Sequence, residues 1–227
     1  MNNDSAAGMW TDPPYGVNYS GGTAESLSIE NDNAEGIPEL LDGAFAIAEQ
    51  FLMPGAPVYI CHPAGALSIV FGKAFIDAGW HFHQTLVWVK SSLVLGHSDY
   101  HYRHEPIIYG WKGKNRPWYG FRDQTSVLEF DKPSRNELHP TIKPVELVDA
   151  CLRNSTQRGD VVYEPFAGSG TTLISCERLG RKCRAVEISP AYAAVTLQRW
   201  MDATGKQPTL AEAVPLTAKA RHGEKRR

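Results

Sequence analysis

The sequence predicts an α/β fold with a mostly parallel sheet and helices on both faces, on three observations. Apolar runs of strand length alternate with longer segments of helical period. One such run, Val161-Val162-Tyr163-Glu164, passes through a glycine-rich turn directly into a helical segment. With 227 residues, 42% apolar and 21% charged, the chain is long enough for one such domain and ordinary in composition for a globular protein.

The elements follow in order. Ile37, Leu40, Leu41, Ala44, Phe45, Ala48, Phe51 and Leu52 form one apolar stripe of a helix, with Pro38 in its first turn and Pro54-Gly55 ending it. Pro57 to Cys61 reads as a short buried strand. Leu67, Val70, Phe71, Ala74, Phe75 and Ala78 then mark a second helix, closed by Gly79. Thr85–Val89 and Pro106–Trp111 are the next strands. Residues 112–138 are polar and aromatic and show no placeable element. Pro144–Leu152 reads as a helix and Val161–Glu164 as a buried strand. The helix after it ends near Gly180, Cys183–Ile188 is a further strand, and Ser189-Pro190 opens the last helix. Apolar periodicity fades from Gly205, and residues 205–227 read as a disordered tail, with five Lys or Arg and one Glu between Lys219 and Arg227.

Several classes are excluded. The apolar stretch Ala66–Phe71 is far too short to span a bilayer. The first 72 residues hold no Lys or Arg, which argues against a signal peptide with a basic start. Cys61, Cys151, Cys176 and Cys183 are widely spaced with no C-x-x-C, which suits reduced thiols in a cytoplasm better than a disulfide frame or a zinc site. Those 72 residues carry nine acids, for a charge of −9, and the remainder carries +7. A basic face for a polyanion and a plain division of solvated charge both fit that asymmetry.

Two distant segments carry the chemistry. In Thr11-Asp12-Pro13-Pro14-Tyr15, consecutive prolines fix φ and remove two N–H donors, leaving a stiff turn that offers a carboxylate, free carbonyls and a ring. Such a turn can accept both hydrogens of an exocyclic amine while the base stacks on Tyr15; an ordinary X-Pro-Pro turn with a surface tyrosine also fits. The second segment is Glu164-Pro165-Phe166-Ala167-Gly168-Ser169-Gly170-Thr171-Thr172, with Glu187 further on. Glycines at a strand-to-helix turn admit a ligand close to the backbone, and an acid ending the next strand suits a ribose diol. Leu173 replaces the third glycine of a dinucleotide fingerprint, and no Lys precedes the threonines as in a phosphate-binding loop. Adenosine without a diphosphate fits better.

Together, Asp-Pro-Pro-Tyr upstream and Phe-x-Gly-x-Gly downstream resemble the amino-group DNA methyltransferases that use S-adenosylmethionine. The order matches their permuted β class, in which the catalytic motif precedes the cofactor motif. His139-Pro140-Thr141-Ile142-Lys143-Pro144 resembles a further segment of that class, and His104-Glu105-Pro106-Ile107-Ile108-Tyr109 a less specific one. The likeness runs from Thr11 to about Trp200.

The resemblance implies a Rossmann-like, circularly permuted methyltransferase sheet over residues 1–204, with a catalytic half 1–111, a recognition insert 112–138 and a cofactor half 139–204. It gives Asp12, Pro13, Pro14 and Tyr15 the target amine and base. Glu164, Phe166, Ala167, Gly168, Ser169, Gly170, Thr171 and Thr172 would line the S-adenosylmethionine pocket, with Glu187 on the ribose and Thr141 and Lys143 near the methionine carboxylate. The expected reaction is direct transfer to adenine N6 in double-stranded DNA, with no metal and no covalent intermediate. Asp at the first motif position favours adenine, since cytosine-N4 members more often carry Ser. Cytosine N4 is the nearest alternative, and a non-catalytic DNA-binding subunit the rival of another class. The expected partners are double-stranded DNA and, within a restriction-modification pair, a cognate endonuclease. A monomer or homodimer in a bacterial or phage cytoplasm, beside the nucleoid, is expected.

One departure stands out. Family members usually begin with a strand bearing a Gly-Asp pair, and only Ala6–Trp10 precede Thr11 after the first five residues. The sheet is therefore expected to lack an edge strand that flanks the cofactor adenine. Lys112, Lys114, Arg116, Trp118 and Arg122 interleave cations with rings, as a DNA-contacting insert does; a solvated loop around a small apolar cluster reads the same way. His97, His101 and His104, with Asp99 between, have a metal-like spacing but no matching Cys/His motif.

Overall fold

A computed structural model describes residues 5–17, 32–94, 99–131 and 142–211. His97, Thr141, residues 18–31 and residues 212–227 lie outside them. The elements are β1 (Gly8–Thr11), α1 (Ile37–Phe51), β2 (Pro57–Cys61), α2 (Ser68–Asp77), β3 (Trp80–Val94), β4 (Tyr102–Lys112), β5 (Val127–Glu129), α3 (Val145–Ser155), β6 (Val161–Glu164), α4 (Thr171–Leu179), β7 (Lys182–Ala185) and α5 (Pro190–Thr204).

The strands form one sheet in the order β5-β3-β4-β2-β1-β6-β7. Every pairing is parallel except those of β4 with β2 and with β3, so β4 alone runs against the others. Among the described residues the sheet ends at β7. Side chains alternate between its faces with period two. Met9, Val58 and Ile60 pack under α1 and α2, against Leu41, Phe45, Phe71 and Phe75. Trp10, Tyr59, Cys61 and Val162 pack against Leu147, Val148 and Leu152 of α3 and Cys176 of α4 on the other face. The helices on both faces and the mainly parallel sheet are as the sequence predicts.

Several boundaries differ. Four residues ahead of two prolines are too few to show a period, yet β1 is buried throughout and sits between β2 and β6. Strand β3 starts five residues before Thr85 and runs five beyond Val89, because its pairing with β4 continues past the apolar segment that the sequence shows. Strand β5, inside the stretch with no predicted element, is three residues held by pairing to Val87, Trp88 and Val89. Strand β7 stops at Ala185, short of Ile188.

The placement of β1 sets the site. From β1 the chain crosses through α1 to β2 on one side, and from β6 it crosses through α4 to β7 on the other. The carboxyl ends of β1 and β6 therefore flank a topological switch point, where α/β sheets open a crevice for ligands.

Candidate active site

Both chemical segments emerge into that crevice. Asp12-Pro13-Pro14-Tyr15 follows β1 directly and Pro165–Gly170 follows β6 directly. The two turns are joined from below by Glu164, which is buried. Its Oε1 accepts from the Thr11 hydroxyl and from the Phe166 N–H at 2.9 Å, and its Oε2 accepts from the Thr172 hydroxyl at 2.8 Å. Glu164 thus serves as the strut between the turns.

Burial outweighs these three donors and raises the Glu164 carboxyl to about 8 from a usual 4.5. A folded-state carboxyl raised in this way favours folding most below pH 4.5, and that contribution is lost as pH climbs from there through about 8. Glu164→Gln keeps the Oε1 acceptor and stays neutral, and the Thr172 hydroxyl can turn to accept from the amide. Unfolding midpoints taken between about pH 5 and pH 8 should fall for the wild type and stay flatter for the variant. Parallel curves would remove Glu164 as the titrating strut.

The glycine turn is held open on its inner side. Gly168 and Gly170 have φ of +51° and +81°. A Cβ on Gly170 would come within 2.6 Å of Thr196, whereas one on Gly168 would meet nothing within 4 Å. The Gly168 N–H donates to Glu187 Oε2 at 2.6 Å, and the Ser189 N–H donates to Oε1 at 2.9 Å. Helix α5 secures the outer side: Thr196 donates to the Gly168 carbonyl at 2.8 Å, and Arg199 donates to the Ser169 carbonyl and hydroxyl at 2.5 and 3.0 Å. Nothing in the sequence singles out Thr196 or Arg199. Thr171 and Thr172 open α4 directly after the turn that carries Gly168 and Gly170.

Around Asp12 the structure builds an ion network. Lys143 Nζ lies 2.6 Å from Asp12 Oδ2 and 3.0 Å from Glu105 Oε2, and Lys90 Nζ lies 2.5 Å from Glu105 Oε1. The Tyr15 hydroxyl reaches Asp12 Oδ1 at 3.0 Å and Glu105 Oε2 at 3.2 Å. Lys143 and Lys90 are 6% and 8% exposed, so both ammoniums depend on these carboxylates for charge balance. Burial raises the Asp12 carboxyl against the pull of Lys143. Burial would raise Glu105 too, but Lys143 and Lys90 overcome it and hold that carboxyl at about 2. Lys143 loses by burial and gains more from Asp12 and Glu105, so it stays charged. Its ammonium also sits 5.3 Å from the centre of the Tyr15 ring, which lies T-shaped to Phe71 with ring centres 6.2 Å apart.

The structure thus brings Asp12, Tyr15, Lys143, Glu164, the glycine turn and Glu187 to one end of the sheet. Lys143 bonds to the Asp12 carboxylate directly. Glu105 and Lys90 join the site without an expected role, although an acid entering the buried run Pro106–Tyr109 is a readable signal for Glu105.

The cations and rings at 112–118 go elsewhere. Strand β4 runs against β2, with Ile107 beside Cys61 and Trp111 beside Pro57, so Lys112 lies where β1 begins, not where it ends. Lys112 pairs with Glu49 at 2.8 Å, and Arg116 stacks over Trp111 and Trp118 at 5.0 and 5.1 Å. Lys114 and Arg122 are exposed. Of the histidines, His101 directly precedes β4 and His104 lies near its start, paired with Val89 of β3.

The chain matches the family model described as DNA methylase over residues 8–198. The type II methyltransferase M2.DpnII of Streptococcus pneumoniae is 25% identical over 88% of this chain and 84% of that protein. The type II methyltransferase M.XycI of Xanthomonas campestris pv. cyanopsidis is 29% identical over 64% of this chain, which spans about half (53%) of that relative. The crystal structure of an M1.HpyAVI–SAM complex superposes with a TM-score of 0.68 at 21% identity, covering 88% of this chain and 90% of that one.

Proposed function

Because this chain belongs to the DNA methylase family, we propose that it transfers a methyl group from S-adenosylmethionine to the N6 amine of adenine in double-stranded DNA. The observation that carries the reading is the meeting of the Asp12–Tyr15 turn and the Phe166–Gly170 turn at the switch point between β1 and β6. The choice of adenine is supported by Asp12 at the head of the catalytic turn.

The residues present fit the cofactor. Gly168 leaves open space beside a backbone turned to positive φ, the N-terminus of α4 follows within three residues, and Glu187 keeps lone pairs free for a ribose diol after its two N–H partners. Phe166, Gly168, Gly170 and Glu187 would hold the nucleoside portion. When bound, S-adenosylmethionine supplies an electrophilic methyl on a sulfonium, taken by the amine nitrogen as the carbon–sulfur bond breaks to leave a neutral thioether.

The chain's own part is positioning. A flipped adenine stacked at Tyr15 presents its amine to Asp12, and the Asp12 carboxylate and the Pro13 carbonyl accept its two hydrogens. That arrangement turns the nitrogen lone pair out of conjugation with the ring. The Asp12 carboxylate then stabilises the positive charge growing on nitrogen and receives the proton that leaves it, a task suited to a carboxyl that burial has raised.

Two tests follow. Gly168→Val should lose cofactor affinity by at least about tenfold in calorimetry, because a branched side chain fills the space kept open there and strains a backbone held at a φ of +51°. Unchanged affinity would place the cofactor elsewhere. Modification-sensitive sequencing of DNA from bacteria expressing the chain should reveal N6-methyladenine at a fixed motif. N4-methylcytosine in its place would reassign the base, and an unmodified genome would favour a non-catalytic subunit. A cytoplasmic location beside the nucleoid follows from that substrate.

The cation and ring cluster near Arg116 packs at the opposite end of the strands from Asp12. The DNA contacts nearest the flipped base are therefore assigned to the carboxyl end of the sheet.

A further inference from the structure

Glu105 has no role in the transfer as described so far, yet it is the residue on which the network behind Asp12 closes. We propose that Glu105 is a positioning residue: by holding both Lys143 and Tyr15, it fixes the Asp12 carboxylate in the orientation that accepts the target amine. The inference rests on the reading of Asp12 as amine acceptor.

The geometry is a closed ring of four side chains. Lys143 links Asp12 Oδ2 to Glu105 Oε2, and the Tyr15 hydroxyl lies between Asp12 Oδ1 and the same Glu105 oxygen, sharing its one proton with them. Glu105 is itself tied through Oε1 to Lys90 on the neighbouring strand β3, so the ring is anchored to the sheet and not to a loop. A carboxylate gripped at each oxygen from a different direction cannot rotate, and each oxygen retains a lone pair for an incoming N–H. Charge makes the same point. An ammonium 2.6 Å from Asp12 opposes positive charge growing on the amine, and Glu105 offsets that ammonium. The groups facing Asp12 electrostatically are Tyr15, Cys61, Glu105, Lys143 and Glu164; Glu105 faces Lys90 as well.

The test compares wild type, Glu105→Gln and Glu105→Asp in steady-state transfer, in calorimetry with S-adenosylmethionine, and in an NMR titration of the Asp12 carboxyl. In Glu105→Gln, kcat should drop by about 10- to 100-fold while KM and cofactor affinity hold, since misplacement rather than binding is at fault. Glu105→Asp should restore part of kcat. The Glu105 charge raises the Asp12 carboxyl, so its removal should move the acid limb of kcat/KM, and the Asp12 titration, to lower pH. A merely structural role would lower the active fraction and leave that limb in place. Wild-type kcat in Glu105→Gln, or an unmoved limb and titration, overturns the inference. If the wild type transfers no methyl group, the proposed function fails, and the Asp12 titration alone still decides whether Glu105 governs its carboxyl.

Discussion

Asp12→Ala is expected to abolish methyl transfer while leaving S-adenosylmethionine binding intact. The carboxylate lies on the β1 side of the crevice, bonded to Lys143 and Tyr15, whereas the glycine turn and Glu187 belong to the β6 side. Losing one preorganised acceptor in a water-poor site commonly costs on the order of 100-fold or more in rate. The fold should tolerate the change, because Lys143 keeps Glu105 as a partner at 3.0 Å. Single-turnover rates and calorimetry on the same preparation read the two effects separately. Near-normal turnover would remove Asp12 from the chemistry, and lost cofactor heat would place it in the other half of the site.

Lys143→Met should be costly for both stability and rate. The methionine has similar length, but Asp12 loses its cation while staying close to Glu105. Removing one partner of a buried ion pair costs about 3–5 kcal/mol, chiefly because the remaining charge is left uncompensated. Glu105 keeps Lys90, so the loss falls mainly on Asp12. Burial already raises the Asp12 carboxyl and Lys143 lowers it, so the variant's carboxyl rises further. The acid limb of kcat/KM should shift to higher pH, opposite to the shift expected for Glu105→Gln, with partial recovery of rate in alkaline buffer. Urea unfolding checks the first effect and a pH–rate profile the second.

What the sequence makes legible here divides by distance along the chain. The apolar stripe from Ile37 to Leu52 and the run Pro57–Cys61 declare themselves because periodicity is local, and both appear in place. The two glycines of the β6 turn are equally legible, since a strand feeding a helix through Gly-x-Gly has few geometries. Strand β1 is not: it is four residues long and owes its burial to β2 and β6, which lie far from it in sequence. Strand β5 exists only through its pairing with β3.

The site shows the same division. Asp12 and Tyr15 stand out because two prolines stiffen their turn, but the ring that orients them joins residues 15, 105 and 143, a closure set by tertiary packing. The interleaved cations and rings at 112–118 show the same division. Composition suggests a surface for DNA, while the direction of β4, which no local pattern reveals, carries them to the far end of the sheet, where Arg116 packs between Trp111 and Trp118.

The most direct measurement incubates the purified chain and its Asp12→Ala variant with duplex DNA and methyl-labelled S-adenosylmethionine, then digests the DNA to nucleosides. Label is expected in N6-methyladenine for the wild type and not for the variant. Label in N4-methylcytosine instead, no label in either nucleoside, or equal label from both proteins would contradict the assignment.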